Sequence, residues 1–220
     1  MYRESKALSL TSTYPSKGTD KNMLPSNIAC VYLHGFLSSP QSKKAQELIQ
    51  FFTDQRMQKQ LRVPALSFEP AVAIQQARAA IQELQKQEGI DQVFVMGSSL
   101  GGFYATHLAA KENIKAVLIN PAVRPYELLD KYLGPNEHYY DGQTYLLEMK
   151  HIEQLQAIET ERLTAPENLL LLLQTGDETL DYRLAIEKYQ DCPSCIEPGG
   201  NHSYEGFMEK LTSIFYFVQG

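Results

Sequence analysis

A serine flanked by glycines lies where an apolar strand is expected to turn into a helix. Residues 97–101, Gly-Ser-Ser-Leu-Gly, fit the pattern Gly-x-Ser-x-Gly with Ser99 at its centre. Small residues two positions before and after a serine allow the strained turn that holds its hydroxyl above a sheet. Ser98 fits badly, because Met96 and Leu100 occupy the same offsets around it. We therefore predict that Ser99 is a nucleophile, the alternative being a glycine-rich turn that merely packs.

A serine hydroxyl becomes a strong nucleophile only when a base accepts its proton and an acid orients that base. Of the five histidines, His202 has the best context, because it follows Gly-Gly-Asn between the last expected strand and the last expected helix. His34 also follows a strand. We expect His107 to pack or to lie at the surface, His151 to be solvated, and His138 to lie in an insertion near substrate.

Three acidic residues that follow a run of five leucines are candidates for the orienting acid. Asp177 comes directly after a glycine at the expected strand end, and we favour it. Asp181 lies at the start of a predicted helix, where a capping role explains it, and Glu178 is the third candidate. Ser99, Asp177 and His202 follow the chain order of the α/β-hydrolase triad, each after its own strand.

The negative oxygen of a tetrahedral intermediate needs two N–H donors. The residue after the nucleophile supplies one of them, which is the backbone N–H of Leu100. We expect the other from the backbone N–H of Phe36, in the turn that follows the first strand. Gly35 would allow that turn to be tight enough to aim the donor.

The elements that must position these groups alternate between strands and helices. Strands are predicted at 28–33, 61–66, 93–96, 116–119, 169–173 and 195–197. Helices are predicted at 45–52, 70–87, 103–110, 180–189 and 204–218. The strands are continuous apolar runs, which is typical of a parallel sheet covered on both faces. Catalytic groups should then lie beyond the carboxyl ends of the strands.

One segment interrupts this alternation. Residues 122–165 separate two predicted strands by far more than a usual connection. The segment contains predicted helical pieces at 126–132 and 144–157 and is rich in tyrosine. We favour a lid over the strand ends, because long insertions there often control access to a site. The alternative is a helical excursion whose tyrosines pack on its own surface.

Four further residues are candidate substrate-binding residues: His34, Arg124, Tyr126 and Tyr140. Tyrosine combines an apolar ring with a polar hydroxyl, so a tyrosine-rich insertion favours an amphipathic pocket. Arg124 can bind a carboxylate or a phosphate, and so can Arg183. An internal salt bridge is the interpretation we favour for both arginines.

Composition bounds the class of protein and its partners. The 220 residues suit one domain, which we place at 27–220, after a flexible polar leader at 1–26 that lacks the apolar segment of a signal peptide. A net charge of −6 without a basic block argues against nucleic acid, and no apolar run reaches the ~18 residues of a membrane span. Three cysteines form no disulfide framework or zinc site. We expect a cytoplasmic protein without metal or cofactor.

Five stretches taken together resemble one known family, the YqiA-type esterases, which are small bacterial α/β hydrolases. They are residues 34–36, 97–106, 120–129, 174–183 and 199–202. The stretches Asn-Pro-Ala-Val-Arg-Pro and Gly-Asp-Glu-x-Leu-Asp-Tyr-Arg are far more specific than the serine pattern. The resemblance runs from about residue 28 to the end of the chain and leaves out the leader.

Together with the alternating strands and helices and the long segment at 122–165, the resemblance predicts an α/β-hydrolase fold with a reduced, mostly parallel sheet of about six strands, flanked by helices and carrying a helical lid insertion. It implies a serine esterase that hydrolyses carboxylic esters, and acyl-thioesters of the acyl-CoA type, with Ser99, Asp177 and His202 as its triad. The partner would be a small ester or thioester. Two alternatives stay open: an acyltransferase that uses the same site, and a ligand-binding module without catalysis on a hydrolase scaffold.

Overall fold

The structure is a computed structural model that describes residues 24–137, 140 and 142–220. Eight strands and seven helices lie in these ranges. The strands are β1 (Ile28–Leu33), β2 (Leu61–Arg62), β3 (Gln92–Ser98), β4 (Ala116–Ile119), β5 (Gly134–Glu137), β6 (Thr144–Leu147), β7 (Leu169–Gln174) and β8 (Ser194–Glu197). The helices are α1 (Lys43–Asp54), α2 (Pro70–Gln85), α3 (Leu100–Glu112), α4 (Pro125–Leu129), α5 (Met149–Ala157), α6 (Tyr182–Lys188) and α7 (Leu211–Gln219).

Six of these strands form one parallel sheet in the order β2-β1-β3-β4-β7-β8. This confirms the prediction of an α/β fold with about six parallel strands. Strand β2 is shorter than the predicted strand at 61–66, because Pro64 has no N–H to donate to a neighbouring strand. The last predicted helix starts later than expected, since the 3₁₀ turn Phe207–Lys210 precedes α7.

Helices cover both faces of the sheet, and β1 illustrates how. Ala29, Val31 and Leu33 belong to one apolar core, which they share with α2 and α3. Cys30 and Tyr32 belong to a second core, which they share with α1 and α7. Because a strand directs alternate side chains to opposite faces, a strand that is covered on both sides must be apolar at every position.

The carboxyl ends of the central strands lie at one edge of the sheet. Leu33 pairs with Gly97, Ser98 pairs with Ile119, and Ile119 pairs with Leu172. The turns that follow these strands therefore leave the sheet side by side. This edge is where a doubly covered parallel sheet holds its ligands.

The insertion differs from the prediction in one part. The interpretation of residues 144–157 as one helical piece is wrong at its start, because Thr144–Leu147 pairs antiparallel with Gly134–Glu137. The helix begins only at Met149. Residues 126–132 are helical as predicted, in α4 and the 3₁₀ turn Asp130–Tyr132.

Three further predictions, on the leader, on membrane spans and on metal sites, can be compared with the described residues only. Residues 1–23 of the predicted leader lie outside them, whereas Leu24, near its end, is 3% exposed and packs in the core with α1 and α7. In the described ranges, none of the helices combines the length and the apolar content that crossing a bilayer requires. Nor do three His, Cys, Asp or Glu side chains of those ranges come together as a metal site would need.

Candidate active site

Ser99 lies on a strained turn between β3 and α3. Its backbone has φ +57° and ψ −121°, a conformation that costs a residue other than glycine about 1–3 kcal/mol. A Cβ atom on Gly97 would lie 2.0 Å from the carbonyl oxygen of Gly101, and one on Gly101 would lie 2.1 Å from that of Leu33. The two glycines of the sequence pattern are therefore required by close backbone packing around the serine.

Substitution of Gly101 by alanine should therefore destabilise the protein by about 3 kcal/mol or more, because backbone atoms cannot yield to the new methyl group. Gly89→Ala is the matched control. Unlike Gly101, Gly89 has a positive φ, of +83°, but no atom of the described residues beyond its two chain neighbours lies within 4 Å of the position that an added methyl group would take, so strain of about 1 kcal/mol is expected. Urea denaturation measures both values, and equal losses in the two variants would contradict the crowding at Gly101.

Three side chains from separate strand ends form one hydrogen-bonded chain. His202 Nε2 lies 3.1 Å from Ser99 Oγ. On the other side of the ring, His202 Nδ1 lies 2.8 Å from Asp177 Oδ2 and 3.0 Å from Oδ1. The Asp177 side chain is only 2% exposed and that of His202 is 23% exposed. The structure thus brings together the three residues that the sequence singled out.

The other two acidic candidates have different partners. Asp181 is the N-cap of α6, and its side chain accepts a hydrogen bond from the backbone N–H of Arg183, which confirms the predicted capping role. Arg183 also forms an ion pair with Asp181, at 2.8 Å, so its internal salt bridge is confirmed as well. The Glu178 carboxylate accepts a hydrogen bond from the backbone N–H of His202, at 3.0 Å.

The surroundings of Asp177 keep its carboxylate charged. Burial raises the pKa of Asp177, but hydrogen bonds from His202 and from the backbone N–H groups of Leu180 and Thr179 outweigh it, so the pKa lies below its usual value. Those two backbone bonds, 2.8 and 2.9 Å long, both end on Oδ1. Oδ2 is thereby left to face the imidazole of His202.

The two expected oxyanion donors flank Ser99. A Cβ atom on Gly35 would lie 3.2 Å from Ser99 Cβ, so the turn that carries Phe36 passes directly against the serine. Leu100 is the first residue of α3, where helix N–H groups have no partner within the helix. Among the described residues, neither Phe36 nor Leu100 donates its backbone N–H to an acceptor.

His34 lies beneath this turn. It is 4% exposed, its Nε2 accepts a hydrogen bond of 3.1 Å from the backbone N–H of Leu66, and its Nδ1 donates to the carbonyl oxygen of Gly35 at 3.1 Å. The N–H of Leu66 requires a neutral Nε2, which places the ring proton on Nδ1. These contacts tie the turn after β1 to the segment that follows β2.

The remaining substrate-binding candidates lie in different environments. Ser99, His202 and Tyr140 line a cavity of about 710 Å³, and Tyr140 is 47% exposed. Arg124 is exposed and lies 3.5 Å from Glu127, the internal pairing that we favoured. Tyr126 packs against the core shared with α2 and α3, and burial raises the pKa of its phenol. The described lining of the cavity includes neither of these last two residues.

Sequence reasoning missed two buried amides that hold the His202 loop. Asn120, at the end of β4, is 1% exposed. Its Nδ2 donates to the carbonyl oxygens of Asn201 and His202 at 3.0 and 3.2 Å, and its Oδ1 accepts from the N–H of Gln174 at 3.0 Å. Gln174, at the end of β7, accepts the N–H groups of Asn201 and Glu205 at 3.2 and 2.8 Å. The signal was a polar residue at the end of an apolar strand.

Because of these contacts, Asn120→Asp should lower kcat by about 10²-fold, the usual effect of displacing a catalytic group by about 1 Å. The carboxylate would place an oxygen against two carbonyl oxygens and push the loop away. Asn113→Asp is the matched control, since Asn113 has a positive φ of +53°, as Asn120 does at +40°, but ends α3 away from the site. Equal kcat values for the two variants, with circular dichroism showing both folded, would contradict the positioning role.

The three remaining histidines are His151, His107 and His138. The expectation that His151 is solvated is wrong: it is 2% exposed, its Nδ1 accepts the N–H of Glu148 at 3.0 Å in a capping box, and its ring packs edge-on against Phe68. Burial lowers the pKa of His107, which is half-buried. His138 lies outside the described residues.

The six-stranded parallel sheet, with a serine turn after β3, defines an α/β-hydrolase fold. The model of an uncharacterised protein family, UPF0227, matches residues 29–219, and the chain belongs to this family. A UPF0227 protein of Serratia proteamaculans (strain 568) is 24% identical over 157 residues, which cover 71% of this chain and 79% of that protein.

Solved structures share the fold at low sequence identity. Est1E from Butyrivibrio proteoclasticus, with ferulic acid bound, superposes with a TM-score of 0.64 at 15% identity, over 87% of this chain and 88% of that one. A monoacylglycerol lipase from Paleococcus ferrophilus superposes with a TM-score of 0.60 at 17% identity, over 89% of this chain and 96% of that one. These matches confirm the predicted α/β-hydrolase fold.

Proposed function

We propose that this protein is a serine esterase, with carboxylic esters as substrates and acyl-thioesters as a second group that the same chemistry serves. The observation that carries the proposal is the chain of hydrogen bonds from Asp177 through His202 to Ser99. A base within hydrogen-bond reach of a hydroxyl, itself held by a buried carboxylate, is the arrangement that activates a serine. The names of similar structures, which include a monoacylglycerol lipase and an esterase from Pyrococcus furiosus, support the reaction class.

Each residue has a defined role in the proposed reaction. His202 Nε2 accepts the proton of Ser99 Oγ while that oxygen attacks the acyl carbon. The backbone N–H groups of Phe36 and Leu100 stabilise the oxyanion that forms. His202 then donates the proton to the leaving oxygen or sulfur, which departs and leaves an acyl-serine. A water molecule, activated by the same imidazole, releases the acid, and Asp177 stabilises the imidazolium in both steps.

Labelling with a fluorophosphonate tests this proposal, because such probes react with activated serines. Native protein should give one adduct, located on Ser99 by mass spectrometry, while heat-denatured protein should give none. A panel of nitrophenyl esters and acyl-thioesters of increasing chain length should be hydrolysed by the same preparation. An unlabelled Ser99 together with no turnover of any ester would overturn the esterase and leave a binding module. A dominant transfer product in the presence of added alcohols or amines would instead indicate an acyltransferase.

A further inference from the structure

The cavity beside Ser99 has one wall that the proposed mechanism does not use. It is formed by the start of α1, at Ser42 and Lys44, and by the loop that follows His202. During the second proton transfer, the leaving group must lie against His202 Nε2. The part of the cavity next to the His202 loop is therefore where the departing alcohol or thiol would be bound.

Lys44 is a half-buried cation in this wall. Its Nζ donates to the carbonyl oxygen of Ser203, the residue after His202, and lies 5.4 Å above the ring of Phe207. Burial lowers the pKa of Lys44 to about 8. Among the described residues Lys44 forms no ion pair, although Glu47 is near enough for its charge to oppose the fall in the pKa. One of the three N–H donors of Lys44 bonds to the Ser203 carbonyl, and the other two have no hydrogen-bond acceptor among the described residues. The neighbouring Lys43 differs, since its side chain is 89% exposed and lies 3.9 Å from Glu47.

Two further features of this wall are unfavourable for folding. The first turn of α1 contains no acidic residue, although the positive end of a helix favours anions and disfavours lysine. The hydroxyl of Ser42, the N-cap residue, is buried and makes no hydrogen bond with any described group. A bound anion would stabilise the helix end, the Lys44 ammonium and the Ser42 hydroxyl together.

On the basis of the proposed esterase function, we propose that the leaving group of the substrate carries an anion, a carboxylate or a phosphate, that binds to Lys44 and the hydroxyl of Ser42. The substrates are then esters of anionic alcohols or thioesters of anionic thiols. The acyl part lies elsewhere and needs no charge.

Carboxylates that line the same cavity do not occupy the proposed anion site. Glu205 accepts a hydrogen bond of 2.7 Å from the side chain of Asn201, and Glu47 is the partner of Lys43. Glu205 and Glu209 are exposed residues, so water and salt screen their repulsion of a substrate anion. The half-buried Lys44 is screened much less, and its attraction outweighs theirs.

Matched esters test the proposal. The butyrate ester of 4-hydroxybenzoate has an anionic leaving group, and the butyrate ester of 4-hydroxybenzamide is its neutral counterpart. A third compound, the butyrate ester of 4-hydroxyphenyl phosphate, shows whether the site prefers a phosphate or a carboxylate. Wild-type protein should prefer an anionic ester over the neutral one by about tenfold in kcat/KM, as expected for one charge-assisted hydrogen bond. In Lys44→Met this ratio should fall to about one. Because the readout is a ratio, a general loss from a disturbed His202 loop cancels.

Control experiments distinguish a failure of the anion site from a failure of the proposed esterase function. Lys43→Met should keep the wild-type ratio. Turnover of the neutral ester with a wild-type ratio near one, or a ratio unchanged in Lys44→Met, would overturn the anion site and leave the esterase intact. Nitrophenyl hemisuccinate carries its carboxylate on the acyl part, whereas nitrophenyl pentanoate is neutral. A preference for the hemisuccinate, with no preference for anionic leaving groups, would also overturn the anion site. If no ester is turned over, calorimetry with 4-hydroxybenzoate and 4-hydroxyphenyl phosphate tests the site directly. Binding to the wild-type protein that Lys44→Met abolishes would support the anion site. Equal binding to the two proteins, or no binding to either, would reject it.

Discussion

Replacing Ser99 with alanine is expected to lower kcat for ester hydrolysis by roughly 10⁶-fold, the effect of removing a triad nucleophile. The substitution deletes the hydroxyl oxygen, which lies 3.1 Å from His202 Nε2. The backbone turn and its N–H donors stay in place. Single-turnover kinetics with a nitrophenyl ester would measure the loss, and the fluorophosphonate adduct should disappear with it.

Ser98→Ala is the matched control, because it removes the neighbouring hydroxyl from the same turn. Ser98 is 9% exposed and shares a hydrogen bond with Tyr32, so a small loss of stability is expected and activity should stay within about tenfold of wild type. If Ser98→Ala were as inactive as Ser99→Ala, the assignment of the nucleophile would be wrong.

The same position allows a test of the strain. At φ +57° a glycine is not hindered, whereas alanine keeps the strained Cβ. Ser99→Gly should therefore be more stable than Ser99→Ala by about 1 kcal/mol in urea denaturation, although both are inactive. Equal stabilities would contradict the view that the turn stores backbone strain at the serine.

The central parallel strands were predictable because each is covered on both faces and is therefore a continuous apolar run. Leu169–Gln174 illustrates this, since all six of its residues are buried. Ser99, Asp177 and His202 each follow one of the parallel strands. Because parallel strands end at the same edge of a sheet, the three side chains were expected to lie there together. Local sequence and topology together were sufficient for this part of the candidate site.

What escaped prediction depends on contacts between distant residues. Thr144–Leu147 combines two strand formers, Thr and Tyr, with two leucines that also suit a helix, and its pairing with Gly134–Glu137 decides in favour of the strand. His151 was expected to be solvated, but it is buried by its capping hydrogen bond and its contact with Phe68. Asn120 contacts residues more than 50 positions away, and although a polar residue at the end of an apolar strand indicates a role, it does not indicate which distant residues are its partners.

Asp177→Asn is expected to lower kcat by about 10⁴-fold, because it moves the ring proton of His202 from Nδ1 to Nε2. In the wild-type site, Oδ1 of Asp177 accepts two backbone N–H groups, from Thr179 and Leu180. The asparagine carbonyl must keep that position, which turns its NH₂ group toward His202 Nδ1. Nδ1 then has to accept a hydrogen bond, so the proton moves to Nε2, and Nε2 can no longer take the proton of Ser99.

Asp181→Asn is the control that decides between the two aspartates. Asp181 caps α6 and pairs with Arg183, so asparagine, which also caps well, should leave kcat within about twofold of wild type. Comparable losses in both variants, or activity of Asp177→Asn within about tenfold of wild type, would remove Asp177 from the triad.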